Sequence, residues 1–389
     1  MDTGGRKIKQ VVIVTKSTNF EPRAEVVGDY LKGKGVEVTY VYSDFSHREK
    51  KRFHRSEPDH IYIRTFPYRK NLSWQRIWSQ LDFAKKAERK LAELEFDLLY
   101  VLVPGNSLVP MGVRAAEGKT LVFDIIDLWP ESLRLGKLER IWPFTYWKRL
   151  RDRDINKADL IITECDLYRE KLKLDPQKSV TMYWGKKEPP AEEAFIEIQQ
   201  VSASGKADSC LEIAYLGAIN NIIDIDGIVR LLQELNNKLE TKERSVLLHV
   251  IGDGENRDTF LQTMDAAGIE YRYHGAIFDE KEKESILSHC SYGLNMMKPG
   301  VCVGMTMKSI DYWSHGLPVI NNIPGDSERL CREEGLGINT DDAKDTISDI
   351  LSENLTDENS RKHIREVYKD RFTEQAMHRI LDQHLMQLG

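Results

Sequence analysis

A lysine and an aspartate three residues apart, Lys308 and Asp311, lie between a glycine turn and a strand entry in Gly304-Met-Thr-Met-Lys-Ser-Ile-Asp-Tyr-Trp-Ser-His-Gly-Leu-Pro-Val-Ile320. A helix starting there offers unpaired backbone N–H groups and partial positive charge to an anion, and Lys308 in its first turn adds a full charge. Asp311, one turn further on, could accept hydrogen bonds from sugar hydroxyls. The same residues also fit an ordinary α/β crossover with a solvated lysine and a capping aspartate, so the surrounding elements must decide.

Those elements alternate. The second half carries apolar runs at 211–216, 246–251, 271–274 and 292–296, separated by helical patterns over 225–239, 256–267 and 280–288. The first half shows the same grammar, with strands at 9–15, 36–42, 97–103, 120–126 and 158–163 and a helix over 23–34. This predicts an α/β fold of two doubly wound, Rossmann-like domains with parallel sheets. A chain of 389 residues also exceeds what one core usually organises. The expected division is an N-terminal domain over 1–190, a linker or domain edge over 191–209, a second domain over 210–365, and a C-terminal helix over 366–389 that could pack back on the first domain. In open parallel sheets, ligands bind beyond the carboxyl ends of the strands. Gly217, Gly252, Gly254, Gly275, Gly300 and Gly304 fall at such ends in the second half, as do Gly105 and the turn Ser17, Thr18, Asn19 in the first. Two such edges facing each other would form a deep cleft.

Composition narrows the class. Hydrophobic residues at 41% and charged ones at 30% describe a soluble, enzyme-like chain, and a net charge of −6 argues against a general nucleic-acid binder. Five widely spaced cysteines (Cys165, Cys210, Cys290, Cys302, Cys331) suit neither a disulfide framework nor a zinc site, and fit a reducing cytoplasm. The N-terminus lacks an apolar signal region and no run approaches the roughly 18 apolar residues of a membrane span, so membrane contact would be peripheral. Two segments invite such contact, Tyr68-Arg-Lys-Asn-Leu-Ser-Trp-Gln-Arg-Ile-Trp78 and residues 134–153, where Trp142, Tyr146 and Trp147 interleave with Lys148, Arg149 and Arg151. Rings and cations mixed in this way suit an anionic bilayer interface, or equally amphipathic helices docked on a sheet with solvated basic faces.

In order along the chain, Ala214-Tyr-Leu-Gly217, His249-Val-Ile-Gly-Asp-Gly254, His274-Gly275 and Lys308-Ser-Ile-Asp-Tyr-Trp-Ser-His-Gly-Leu-Pro-Val-Ile320 resemble the donor domain of GT-B fold glycosyltransferases, retaining family 4 in particular. Upstream, Asp124-Ile-Ile-Asp-Leu-Trp-Pro-Glu-Ser132 is similar to a segment of members that build bacterial surface polysaccharides. The resemblance implies a C-terminal domain for a nucleotide-sugar, an N-terminal domain for the acceptor, and retention without an evident protein nucleophile. It places Asp311 where the second acid of a Glu-x7-Glu motif holds ribose hydroxyls. Val303 stands at the first acidic position, and Ala218-Ile-Asn-Asn-Ile-Ile-Asp224 replaces a Gly-Arg…Lys pair. Lys308 is then the expected diphosphate cation. The donor side comprises Gly217, Asn220, Asn221, Gly252, Asp253, Gly254 and Gly275, together with Lys298, Gly300, Val303, Gly304, Met305, Lys308 and Asp311.

Sugar transfer develops positive charge on the sugar and negative charge on the departing diphosphate, so the site needs cations at the phosphates and oxygens near the sugar. Asp124 and Asp127, at the end of an apolar strand, are the catalytic candidates beside Lys308. Asp127 could orient a hydroxyl, or equally N-cap a helix starting near Trp129-Pro130. Ser17, Thr18, Asn19, Gly105, Asn106 and Trp129 form the expected acceptor side. Asp224-Ile-Asp226 superficially matches an Asp-x-Asp metal motif but fits a helix start better. Cys302 reads as packing. No metal or other cofactor is expected.

The resulting expectation is a cytoplasmic glycosyltransferase, free or at the inner face of the membrane, that moves a hexosyl group from a UDP-sugar to a glycan or polyprenyl-diphosphate-linked acceptor. Two alternatives stand beside it: a non-hydrolysing nucleotide-sugar 2-epimerase, and a non-catalytic partner of another transferase or glycan-binding protein.

Overall fold

The computed structural model describes residues 8–70, 73–133, 140–186, 210–241, 243–340, 346–352 and 354–388. The expected linker over 191–209 lies outside them, as do residues 134–139 of the second basic aromatic segment. The chain divides into two compact units, Met1–Gly185 with Glu374–Gly389, and Lys186–Thr373. Residues 366–373 stay with the second unit because the helix Glu358–Arg371 runs through the expected 365/366 boundary unbroken.

In the first unit the strands are β1 (Gln10–Thr15), β2 (Glu37–Ser43), β3 (Phe45–Ser46), β4 (Lys51–Arg52), β5 (His60–Ile63), β6 (Leu98–Val103), β7 (Thr120–Ile125), β8 (Leu160–Thr163) and β9 (Ser179–Thr181). β3 and β4 form a small antiparallel hairpin. The other seven make one parallel sheet in the order β5-β2-β1-β6-β7-β8-β9. β6 is buried at every position, as a strand covered on both faces must be. The helix Glu374–Ile380 and the turns after it return to this unit by burying Met377, Leu381 and Leu385 in the core that holds Val11, Ile13 and Tyr30. Tyr30 Oη donates to Asp382 at 2.6 Å across that contact.

The second unit repeats the plan. Its strands β10 (Cys210–Leu216), β11 (Ser245–Ile251), β12 (Glu270–Gly275), β13 (Tyr292–Asn295), β14 (Val319–Asn321) and β15 (Gly337–Asn339) form a parallel sheet in the order β12-β11-β10-β13-β14-β15. In both sheets the strand order reverses next to the first strand, between β1 and β6 and between β10 and β13. Adjacent loops leave in opposite directions at such a point and open a crevice beyond the strand ends.

Candidate active site

At the second switch point β10 and β13 part, which strands the backbone of Ala214 and Leu216. One side chain satisfies both. Tyr312 Oη accepts from the Leu216 amide at 2.6 Å and donates to the Ala214 carbonyl at 3.1 Å. Its ring lies on Gly293, where a Cβ would meet ring atoms at 2.6 Å. The helix Met307–Ser314 is thereby pinned across the gap, and its start is fixed by Thr306, whose hydroxyl caps the Ser309 amide and donates to Asn295 Oδ1 at 2.9 Å. Lys308, one turn before Tyr312, is consequently drawn inward over β10. Lys308 is 9% exposed, its Nζ 4.5 Å from the Tyr215 ring centroid and 3.5 Å from Tyr215 Oη. Among the described residues no carboxylate pairs with it. Burial lowers its pKa to about 7.

The turns around this lysine are tied to one another. The Gly217 amide donates to the Ile251 carbonyl (2.8 Å), the Gly252 amide to Gly275 (2.7 Å) and the Ile219 amide to Asp253 (3.0 Å). Gly217 has φ +108, and a Cβ on Gly252 would stand 2.0 Å from the Gly217 carbonyl oxygen, so this approach requires glycine. Gly254 crosses Ile219 as closely, and Asp253, exposed, caps the Gly254 amide. Asn220 turns its own loop by accepting from the Ile222 amide, Asn221 is exposed, and the Lys298 amide donates to the Ile222 carbonyl at 2.8 Å. Gly300 is exposed with φ +83, Val303 is half-buried, and Gly304 is fixed through its carbonyl, which accepts from Ser327. Met305 and Cys302 are buried. Asp224 caps the Gly227 amide, a helix-start role.

Asp311 differs from the expectation of an acid open to ribose. Its carboxylate is half-buried against Lys186, with Lys283 Nζ at 4.0 Å.

In the first unit Asp124 must be corrected. It is 0% exposed and takes a two-pronged ion pair from Arg23 (2.8 and 3.0 Å) plus the Tyr100 hydroxyl at 2.7 Å. Arg23 continues to the Met182 carbonyl at 2.9 Å, so the pair fastens a helix to two strand ends and presents no free acid. Asn106 is corrected likewise: it is fully buried, and its amide donates to the Trp129 and Trp147 carbonyls at 2.8 and 2.9 Å. Gly105, with φ +136, turns the chain into that position. Ser17 is buried and starts the 3₁₀ turn Thr18–Phe20, while Thr18 is half-buried and Asn19 exposed.

Asp127 is partly exposed, and no α-helix begins in the described residues 128–133 that follow it. The chain makes one 3₁₀ turn at Glu131–Leu133, and Asp127 instead accepts from the Trp129 indole at 2.6 Å. Desolvation raises its pKa, against the hydrogen bond from Trp129. The Arg76 guanidinium lies 3.7 Å from the Trp129 ring centroid. Lys16, 7% exposed at the end of β1, completes this side.

Residues 211–357 match a family model described as glycosyl transferases group 1. Those residues, within the second unit, carry a glycosyltransferase domain. The fold of the chain is GT-B, similar over nearly its whole length to solved members. Sucrose-phosphate synthase from Thermosynechococcus elongatus aligns with TM-score 0.69 at 13% identity, covering 98% of this chain and 99% of the other. HepE from Anabaena, solved in complex with UDP, aligns at 0.66 and 12% over 97% and 100%. WaaG, a glycosyltransferase involved in lipopolysaccharide biosynthesis, aligns at 0.62 and 12% over 95% and 99%. A search of curated proteins returned no match.

Within this glycosyltransferase the structure gathers Lys308, Gly217, Gly252, Gly254 and Gly275 at one strand-end edge, and Asp127, Trp129 and the turn after β1 at the other unit's edge. It withdraws Asp124 and Asn106 into the packing. Sequence reasoning passed over Lys16, Arg76 and Tyr68. Lys16 directly follows the apolar strand run. Arg76 and Tyr68 are 3% and 4% exposed, although they lie within a segment read as a surface face.

Proposed function

We propose that this glycosyltransferase moves a hexosyl group from a UDP-sugar to a glycan or lipid-linked glycan acceptor in bacterial surface polysaccharide synthesis, with retention. One observation carries the donor half. Lys308 is a buried ammonium with no carboxylate partner among the described residues, placed at the switch point among close-packed glycine turns. Such a charge is costly until an anion arrives, and a diphosphate departing in the transition state supplies one. HepE, of the same fold, binds UDP and UDP-glucose, which supports a uridine donor. Asp127, with its raised pKa, is the proposed group for orienting a reacting hydroxyl. Asp311 would meet the ribose by exchanging its lysine contacts.

The acceptor half rests on unit 1. Trp74, Trp78 and Trp142 are 56%, 65% and 71% exposed, with the Trp74 and Trp142 rings 6.3 Å apart and Tyr146 stacked on Trp142. No helix among the described residues is long and apolar enough to cross a membrane. An aromatic patch of this kind beside Lys148 and Arg149 suits peripheral docking on anionic lipid at the inner face of the cell membrane.

Thermal shift with UDP-, GDP- and ADP-sugars tests the donor. A UDP-sugar at 100 times its Kd is expected to stabilise the protein by about 2.7 kcal/mol, and no shift with any of the panel defeats the proposal. Asp127→Asn is expected to cut turnover about 100-fold with little change in melting temperature. Activity is expected to persist in EDTA; loss restored by Mn²⁺ or Mg²⁺ would count against a metal-free mechanism. Co-sedimentation with anionic liposomes should be lost when Trp74 and Trp142 become serine.

A further inference from the structure

Four strands form the outer edges of the two parallel sheets, and one of them differs from the rest. β5, β9 and β15 are four, three and three residues long, whereas β12 runs for six and pairs with β11 alone. A short edge offers little to pair with, but a longer one presents a row of backbone N–H and C=O groups to any extended chain. Glu270, Arg272 and Tyr273 are exposed along β12, Tyr273 at 38%. Among the described residues no strand covers its outer side.

The charges on this edge alternate in sign. Charges of one sign would keep a second edge away, whereas Glu270 and Arg272, two positions apart on one face of the strand, can each meet an opposite charge. Neither forms an ion pair among the described residues. Glu212, whose carboxylate feels the Arg272 charge, is held by His249 Nε2 at 2.7 Å. The ladder of β12 on β11 is regular from Glu270 to Tyr273 and slips only beyond, between Val250 and Ile251 of β11.

Two copies of this edge related by a twofold axis would meet with their strands antiparallel. Residues directly opposite one another share a face of the pleat, so the axis must pass through a residue. Centred on Arg272, the pairing sets that arginine against itself. Centred on Tyr273, it sets Arg272 against His274 and runs past the end of the regular ladder. Centred on Tyr271, it uses residues 269–273 and sets Glu270 against Arg272 of the other copy, twice over. Tyr273 then lies opposite Ile269, an aromatic and β-branched pair, and Tyr271 lies opposite its own equivalent. Tyr271 packs on the core of the second unit, so the two rings would carry that core across the joint.

We propose that β12 joins two copies of this chain into a homodimer, edge to edge and antiparallel, in the register centred on Tyr271. The carboxyl ends of the two sheets lie at opposite ends of such a joint, so each Lys308 serves its own copy. The joint is independent of which donor or acceptor the protein uses.

Sedimentation velocity of the full-length protein over a concentration series is expected to show a reversible dimer. Glu270→Arg and Arg272→Glu each place like charges opposite one another at two points of the pairing and should weaken the dimer about tenfold or more. The double variant restores the match and should return the wild-type dissociation constant. Cysteine placement reads the register, with wild-type protein as the control. Under mild oxidation Tyr271→Cys should form an interchain disulfide, whereas Tyr273→Cys should not, its two copies standing beyond the roughly 7 Å that a disulfide spans. Near-UV circular dichroism verifies that each variant is folded. A monomer at every concentration overturns the proposal, as does a dimer indifferent to the single reversals or not rescued by the double one. Cross-linking through Tyr273→Cys in place of Tyr271→Cys overturns the register and the proposal with it.

Discussion

Lys308 and Lys16 occupy matching places in two sheets of the same plan, each beside the strand next to the order reversal, each near a tyrosine ring, and each with a pKa lowered to about 7. Their surroundings differ. Lys308 is lowered by burial alone and lies beside the Gly217 turn, where its Cε would stand 3.8 Å from an added Cβ. Lys16 is lowered by burial and by two further cations, and it lies over the Tyr68 ring. The first setting suits a ligand that brings its own shape, such as a nucleoside diphosphate laid along backbone. The frames differ as well: unit 1 closes its core with a buried ion pair, Arg23–Asp124, whereas unit 2 bridges its split strands with a neutral hydroxyl, that of Tyr312.

Breaking these frames gives the largest effect. Asp124→Ala leaves the Arg23 guanidinium buried without its partner and is expected to cost about 3–5 kcal/mol in denaturant unfolding; a change below about 1 kcal/mol would restore Asp124 as a candidate for chemistry. Lys308→Met should lower kcat/KM by about 100-fold or more in a transferase assay, since the charge that meets the departing diphosphate is gone. The same substitution should raise the melting temperature of the unliganded protein, because a buried unpaired ammonium is replaced by an apolar chain. Tyr312→Phe, which orphans the Leu216 amide, is expected to cost about 1–3 kcal/mol.

A further effect is in the pH profile. For both lysines the folded-state pKa lies below the value of 10.5 for a free side chain, so above pH 7 the unfolded chain holds more protons than the folded one. Stability should rise as pH goes from about 7 toward 10 and level off at its lower value below 7. Replacing both lysines with methionine should flatten that rise, as followed by urea midpoint against pH.

Much of the fold was legible because continuous apolar runs alternating with helical patterns mark parallel strands covered on both faces. The edge strand β5, half-exposed and only four residues long, carried no such signal. The helix Met307–Ser314 was legible for a local reason: its turn, its first-turn lysine and the glycine before Leu317 are contiguous. Asp124 was misread for a non-local one. An acid near a strand end looks alike in sequence whether it faces ligand or core, and its partner Arg23 is 101 positions away. Arg76 was hidden by helix phase, since it points inward while Trp74 and Trp78, two positions to either side, point out. Lys16 stood in the very turn whose ligand role was given to Ser17, Thr18 and Asn19.

The central claim is that Lys308 is the donor's diphosphate cation, and UDP affinity reads it most directly. Calorimetric titration of UDP into wild-type and Lys308→Met protein should show affinity falling at least tenfold, together with the higher melting temperature of the unliganded variant. Equal UDP affinity in the two proteins would contradict the account.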